Sequence, residues 1–222
     1  MAYTKRIVCL ANSFKKGGSC VAGRELVGTG LGQWIRPVGD RPTAEVRASE
    51  FGELKLLDIV DVPLLRAEPR YHQTENHVID ASQPWVKVGE LPWPRLAEMI
   101  DRPASLWINR DRTNGPGLYD CVSETEGLTL DTSLVLIKPD NFSVEVSPHY
   151  YTRKRTWRAD FVYNGTNYNV SLTDPIATRK YSVDGSYPLN DVYICVSLTE
   201  PWVKDNNRCH KLVAAIFTNP PL

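Results

Sequence analysis

Apolar residues along this chain fall in short bursts with the period of strands. Ile7–Ala11 is wholly apolar, as a strand buried on both faces would be. Leu56–Leu65 is apolar apart from interruptions that include Asp58 and Asp61, and Leu134–Ile137 is a further apolar run. Phe142, Val144 and Val146 alternate with Ser143, Glu145 and Ser147, a period of two. Val192, Ile194, Val196 and Leu198 share one strand face, and Leu212–Phe217 closes the pattern. Pro and Gly punctuate these runs. Pro94–Ile100 alone predicts a helix, with Pro near its start and Leu96, Met99 and Ile100 at helical spacing. The pattern predicts a mainly β protein with one or two short helices, folded as small barrels or a sandwich.

The sharpest local expectation is a hairpin at Asn164-Gly165, the favoured two-residue type I′ turn. It pairs Tyr163 with Thr166, Phe161 with Tyr168, Ala159 with Val170 and Trp157 with Leu172 on a core face. Val162 with Asn167, Asp160 with Asn169 and Arg158 with Ser171 form the other face, which is polar and turned to solvent or a ligand. That register assigns Trp157 to the core.

Length sets the organisation. The 222 residues hold one large domain or two of roughly 100 residues each. Arg110–Gly117 has no large apolar residue and ends Gly-Pro-Gly, which makes it the best boundary. It divides the chain into domains 1–112 and 118–222. Val170-Ser-Leu-Thr-Asp-Pro175 is echoed by Val196-Ser-Leu-Thr-Glu-Pro201, and strand-exit chemistry explains both copies. No apolar run approaches the roughly 18 residues of a membrane helix. The run after Lys5 and Arg6 is too short for a signal peptide. The five cysteines are odd in number and lack CxxC, which predicts reduced thiols and a cytoplasmic location. Cys9 and Cys195 sit in apolar runs, as buried structural cysteines do. Cys209-His210 and the pair His72 and His77 lack the spaced ligands that zinc needs, so neither a metal nor a cofactor is expected.

Charge changes the picture. The 26 Lys and Arg balance the 26 Asp and Glu, which excludes a polycation that grips nucleic acid by bulk charge. The zero hides asymmetry. Residues 1–47 carry eight cations against three carboxylates, a net of +5; residues 111–147 carry two against seven, a net of −5. Arg153, Lys154, Arg155 and Arg158 then stand beside Tyr150, Tyr151 and Trp157. Cations interleaved with aromatics suit a single strand with splayed bases; a solvated loop is the alternative.

Three further segments can carry recognition. Asn12–Ser19 follows a buried strand, and Lys15 and Lys16 with two glycines can wrap a phosphate, although no Walker A loop is present; a solubilising hairpin tip is the alternative. Trp34 and Arg36, on one face of a strand, can bracket a base or a phosphate, or be a core Trp beside a surface Arg. In His72–His77, Gln73 and Asn76 can read a base edge, or the segment is an ordinary polar turn. GxSxG, HExxH and deaminase signatures are absent. Glu75 with His72 or His77 is a conceivable acid–base pair, and Asp58 with Asp61 a conceivable metal pair, but neither has identifiable partners, and no catalytic residue is assigned.

Lys5–Ser13, Cys20-Val-Ala-Gly23, Trp34-Ile-Arg-Pro-Val38 and Gln73-Thr-Glu-Asn76 together resemble the prokaryotic dual OB-fold domain family. The close, Val196–Pro201 followed by Lys211-Leu-Val-Ala-Ala-Ile216, is similar to that family's close. The resemblance spans nearly the whole chain. It implies two OB-like barrels in tandem and a nucleic-acid-binding role in bacterial or phage conflict systems, with no catalytic residues to transfer. His77 departs from it, standing where an aromatic is expected.

The combined expectation is a non-enzymatic module for single-stranded or structured DNA or RNA. Lys15, Lys16, Arg24 and Arg36 hold phosphates, Trp34 stacks a base, and Gln73, Glu75 and Asn76 line the same site. Arg153, Lys154, Arg155 and Arg158 extend the track on the second barrel. Two other readings stand beside it: a sensor of a nucleotide or modified base, walled by Trp34 and Gln73–Asn76, and an adaptor whose acidic 111–147 segment docks a protein partner.

Overall fold

The computed structural model describes residues 2–15, 18–28, 30–40, 45–46, 51–113, 115–149 and 152–222, without the side chains of Phe14 and Lys15. The chain forms two compact units, Met1–Met99 and Ile100–Leu222. Both are β units, and the few helices are short.

The first unit contains β1 (Tyr3–Lys15), β2 (Gly18–Val27), β3 (Gly30–Val38), β4 (Asp58–Ala67), β5 (Asn76–Ile79) and β6 (Val86–Glu90). The first five close a ring. β1 pairs with β2, β2 with β3, β3 with β5, β5 with β4, and β4 returns to β1. Only β3 and β5 run parallel. β1 serves two partners: Tyr3–Val8 lie against β4 and Ile7–Lys15 against β2. A register shift between Cys9 and Ala11 accompanies this change of partner; such bulges bend a strand. Ile7, Val8, Cys9 and Leu10 are fully buried, as the unbroken apolar run requires. Gly23 explains part of the Cys-Val-Ala-Gly motif. A Cβ there would overlap the carbonyl oxygen of Val8 across the β1–β2 pair, so only glycine permits the approach. The core gathers Ile7, Cys9, Val21, Ile35, Val60, Val62, Leu64 and Ile79. β6 pairs with the Asp58–Asp61 end of β4.

The second unit holds β7 (Cys121–Val122), α1 (Glu124–Gly127), β8 (Leu134–Ile137), β9 (Asn141–Pro148), β10 (Arg155–Tyr163), β11 (Thr166–Leu172), α2 (Pro175–Lys180), β12 (Gly185–Pro188), β13 (Tyr193–Leu198) and β14 (Cys209–Phe217). Its sheet repeats the circular order of the first. β9, β10 and β11 form a meander, β11 runs parallel to β14, β14 pairs with β13, and β13 pairs with β8. β8 and β9 are two halves of one first strand, broken at Lys138-Pro139-Asp140. Pro139 has no N–H to give to a ladder. Beyond it, the Asp140 N–H donates to Val162 O at 2.8 Å and restarts the pairing with β10.

The hairpin has the expected register from Arg158↔Ser171 to Tyr163↔Thr166. Asn164 and Gly165 take φ of 48° and 71°, as a type I′ turn demands. Ala159, Phe161, Tyr163, Tyr168, Val170 and Leu172 are buried in the core, and the half-buried Trp157 packs against it. The predicted 94–100 helix is a 3-10 helix, Trp93–Met99, burying Leu96 and Met99. Both copies of the Val-Ser-Leu-Thr echo end strands, β11 and β13. In the first copy Asp174 goes on to cap α2, accepting from the N–H groups of Ile176 and Ala177. Its other oxygen accepts from Ile216 N in β14.

The division at 99/100 lies upstream of the 110–117 segment marked by composition, and that segment belongs to the second unit. Its polar residues mark a tied-down loop rather than a linker. The Thr113 N–H donates to Asp120 at 2.7 Å, Asp111 bridges to Cys121, and Leu118 exchanges hydrogen bonds with Asn169 of β11.

Candidate nucleic-acid interface

The first barrel gathers six of the twelve expected contact residues in two groups. Arg24 on β2 and Trp34 on β3 are cross-strand partners, with the guanidinium 5.4 Å from the indole centre. Arg36 on β3 is the parallel partner of Asn76 on β5. Its N–H donates to Glu75 O at 2.8 Å, and its guanidinium lies 3.1 Å from the Glu75 carboxylate. Asn76 Nδ2 donates to Gln73 Oε1 at 3.3 Å. The loop from β4 to β5 folds back on itself through reciprocal main-chain bonds between Arg70 and Gln73. The arrangement faces inward. Trp34, Arg36, Gln73, Glu75 and Asn76 are all buried, none more than 6% exposed. Buried charges need a partner, and Arg36 and Glu75 pair with each other. The side chain of Lys15 and all of Lys16 lie outside the described residues.

His77, Asp58 and Asp61, weighed for acid–base or metal chemistry, each have a partner of their own. His77 Nδ1 is 2.6 Å from the Tyr3 hydroxyl, and burial lowers its pKa. Asp58 lies 2.5 Å from Lys87 Nζ and accepts from Lys55 N. Asp61 faces Arg6, which holds its carboxyl below the usual range. Among the described residues no group of three or more His, Cys, Asp or Glu is placed to hold a metal ion, and no helix is long and apolar enough to cross a membrane. An open depression of about 660 Å³ on the first unit is lined by Arg6, Asp61, Glu25, Val27 and Val88, and takes in none of the expected contact residues.

The second barrel separates its basic cluster into two roles. Arg153 and Lys154, in the loop from β9 to β10, and Arg155, at the start of β10, are exposed. Main-chain bonds between His149 and both Lys154 and Arg153 brace that loop, and Arg155 pairs loosely with Asp184 at 3.3 Å. Arg158 instead turns inward. It lies 2.9 Å from Asp120 and donates to both the side chain and the main chain of Asn169. Tyr150 and Tyr151 lie outside the described residues. Trp157 gives its indole N–H to Tyr181 O at 2.6 Å. Much of the acidic 111–147 segment is engaged within the chain. Asp120 binds Arg158 and Thr113, Glu124 accepts from Asn207, Glu126 pairs with Arg110, and Glu145 accepts from Ser143 and Ser186.

Two features were not read from the sequence. Lys211 on β14 is fully buried over the ring of Tyr168, with Nζ giving hydrogen bonds to Ile108 O at 3.0 Å and Asn109 Oδ1 at 2.8 Å. Burial brings its pKa down to about 7. Two acceptors match the two N–H groups of a neutral amine. The signal was available, because Lys211 shares the inward period of two with Cys209 and Val213. Trp202 and Val203, in the loop from β13 to β14, are exposed at 54% and 81%.

A five-stranded barrel ordered 1-2-3-5-4 and returning to strand 1 is the OB barrel, and this chain contains two. The chain matches the dual OB-containing domain family over residues 5–216 and belongs to that family. No curated protein and no solved structure matches it.

Proposed function

We propose that the chain is a non-enzymatic nucleic-acid-binding module that takes a single strand, or the unpaired part of a structured DNA or RNA, on its second barrel. The observation that carries this reading is the exposed run Arg153-Lys154-Arg155 between the first and second strands of that barrel. OB barrels take oligonucleotides on the face of strands 2 and 3 and on the loops 1–2 and 4–5. The expected residues of the first barrel lie on those same elements, but they bind one another. In this reading Arg24, Trp34, Arg36, Gln73, Glu75 and Asn76 shape the face, and Arg158, bound to Asp120 and Asn169, holds the polar face of β10. The family resemblance extends the proposal to bacterial or phage conflict systems. The five free cysteines fit a reducing cytoplasm.

The test is titration of labelled single-stranded and duplex DNA and RNA at two salt concentrations. Binding that falls steeply with salt is expected, because phosphate contacts release counterions. Changing Arg153, Lys154 and Arg155 together to Ala lowers the slope of log K against log salt by about 2. Affinity that is equal at low and moderate salt would sink the proposal.

One observation favours a second reading, a sensor of a nucleotide or modified base in the first barrel. Asn76 Oδ1 is buried and has no hydrogen-bond partner among the described residues. Saturable binding of a mononucleotide, with no gain from longer oligomers, would support it.

A further inference from the structure

Among the described residues of the second barrel, the loop from β13 to β14 holds the most exposed aromatic and aliphatic pair, Trp202 and Val203. Trp202 N–H donates to Arg208 O at 3.0 Å, and Trp202 O accepts from the N–H groups of Asp205 at 2.9 Å and Asn207 at 3.1 Å. Both main-chain groups of the residue are therefore used. Asn206 and Asn207 take left-handed φ of 51° and 56°, a conformation that asparagine tolerates better than most residues. The indole meets the His210 ring edge to face, with centroids 5.5 Å apart. His210 is itself held 3.0 Å from Asp205, which also binds Arg208. A loop braced at this many points presents the indole at little entropic cost, whereas a floppy loop would fold an apolar ring against the surface.

The surroundings decide the kind of partner. Lys204 is exposed next to the pair, and the Asp205 carboxylate is paired with Arg208. Asp120 links this end of β14 to β10: its carboxylate binds Arg158, and its main-chain O accepts from Lys211 N, next to His210. The exposed Arg153–Arg155 run lies on the loop that joins strands 1 and 2 of the same barrel. An exposed indole with an exposed lysine beside it, on the loop between strands 4 and 5 of an OB barrel, fits a nucleobase whose phosphate lies on the cation.

We infer that Trp202 is the base-stacking platform of the second barrel, with Val203 beside it, and that its ligand is an unpaired base of a DNA or RNA strand. This rests on the nucleic-acid reading above. The equivalent loop of the first barrel, from β4 to β5, keeps Gln73 and Glu75 buried and exposes Tyr71 at 54%.

The test compares the wild type with Trp202→Ala and Trp202→Phe, using single-stranded DNA and RNA oligomers of about 10 nucleotides. Loss of one stacked base weakens binding about 5- to 100-fold in the Ala variant. The Phe variant keeps most of the affinity. The slope against salt is unchanged in both, because no charge is removed, and the thermal midpoint is unchanged because the ring is exposed. Tryptophan quenching on titration is present in the wild type and lost in both variants. If the wild type binds and the Ala variant binds equally well, this inference falls while the nucleic-acid reading stands. If the wild type binds no nucleic acid at either salt concentration, both fall. Loss of self-association in the Ala variant, with nucleic-acid binding intact, would make the patch a protein-docking surface and overturn the inference.

Discussion

Nη2 of Arg36 lies 3.1 Å from Oε1 of Glu75, and neither side chain is more than 5% exposed. The pair joins β3 to the end of the loop before β5, the two strands whose parallel pairing defines the ring. Removing one member leaves the other charge facing a neutral group in a dry site. Glu75→Ala is expected to destabilise the first barrel by about 3–5 kcal/mol, and Arg36→Met with Glu75→Met by much less. Urea unfolding of the two singles and the double checks this; additive losses would contradict it.

Lys211 makes the stability of the second barrel depend on pH. Its folded pKa, about 7, lies below the ordinary 10.5 of the unfolded side chain. Between these values the unfolded chain holds the extra proton, so stability rises with pH, by about 1.4 kcal/mol per unit at most. Below about pH 7 both states are protonated and the slope from this group vanishes. Cys121 and Cys209, raised from 9.0 to about 11, add an opposing slope only above pH 9. Urea midpoints from pH 7.5 to 9 are expected to climb in the wild type and to stay level in Lys211→Met.

Gly23→Ala sets a methyl group against the Val8 carbonyl oxygen, and neither strand can yield without breaking the β1–β2 ladder. A loss of about 1–3 kcal/mol is expected. Gly89→Ala is the control. Its Cβ would come no closer than 3.8 Å to Ile59 Cδ1, and the change is expected to stay within about 0.5 kcal/mol. Thermal melts of the two variants separate close packing from a general cost of replacing glycine.

Gly165→Ala meets nothing within 4 Å, so its cost is conformational alone. At φ of 71° an added Cβ is strained, and a loss of about 1 kcal/mol is expected. Because the turn sets the register of β10 and β11, the variant's hydrogen exchange is expected to rise first at Tyr163 and Thr166.

Local chemistry was legible wherever neighbours in sequence settle it. The Asn-Gly turn, the alternation through Phe142–Val146, the apolar Ile7–Ala11 run and the Leu96–Met99 face each carry their own geometry. The site was legible only in part. Arg36, Glu75, Asn76 and Gln73, picked out by residue type, are linked by an ion pair, a strand pairing and a hydrogen bond. Their burial was not legible, because it comes from the β4–β5 loop closing against β3, a contact between segments some forty residues apart.

By itself the sequence determined a mainly β chain with few helices, the hairpin register, and the basic-aromatic segment near 153. These rest on periods of two and on turn residues, which act over a few positions. The tertiary structure alone decided the ring order. It also decided that β8 and β9 are one strand broken at Pro139, that Arg158 turns inward while Arg153–Arg155 stay out, and that Lys211 is buried while Trp202 is exposed. Each of these depends on which distant strand lies alongside, and a side chain's burial is set by that neighbour rather than by its own residue type.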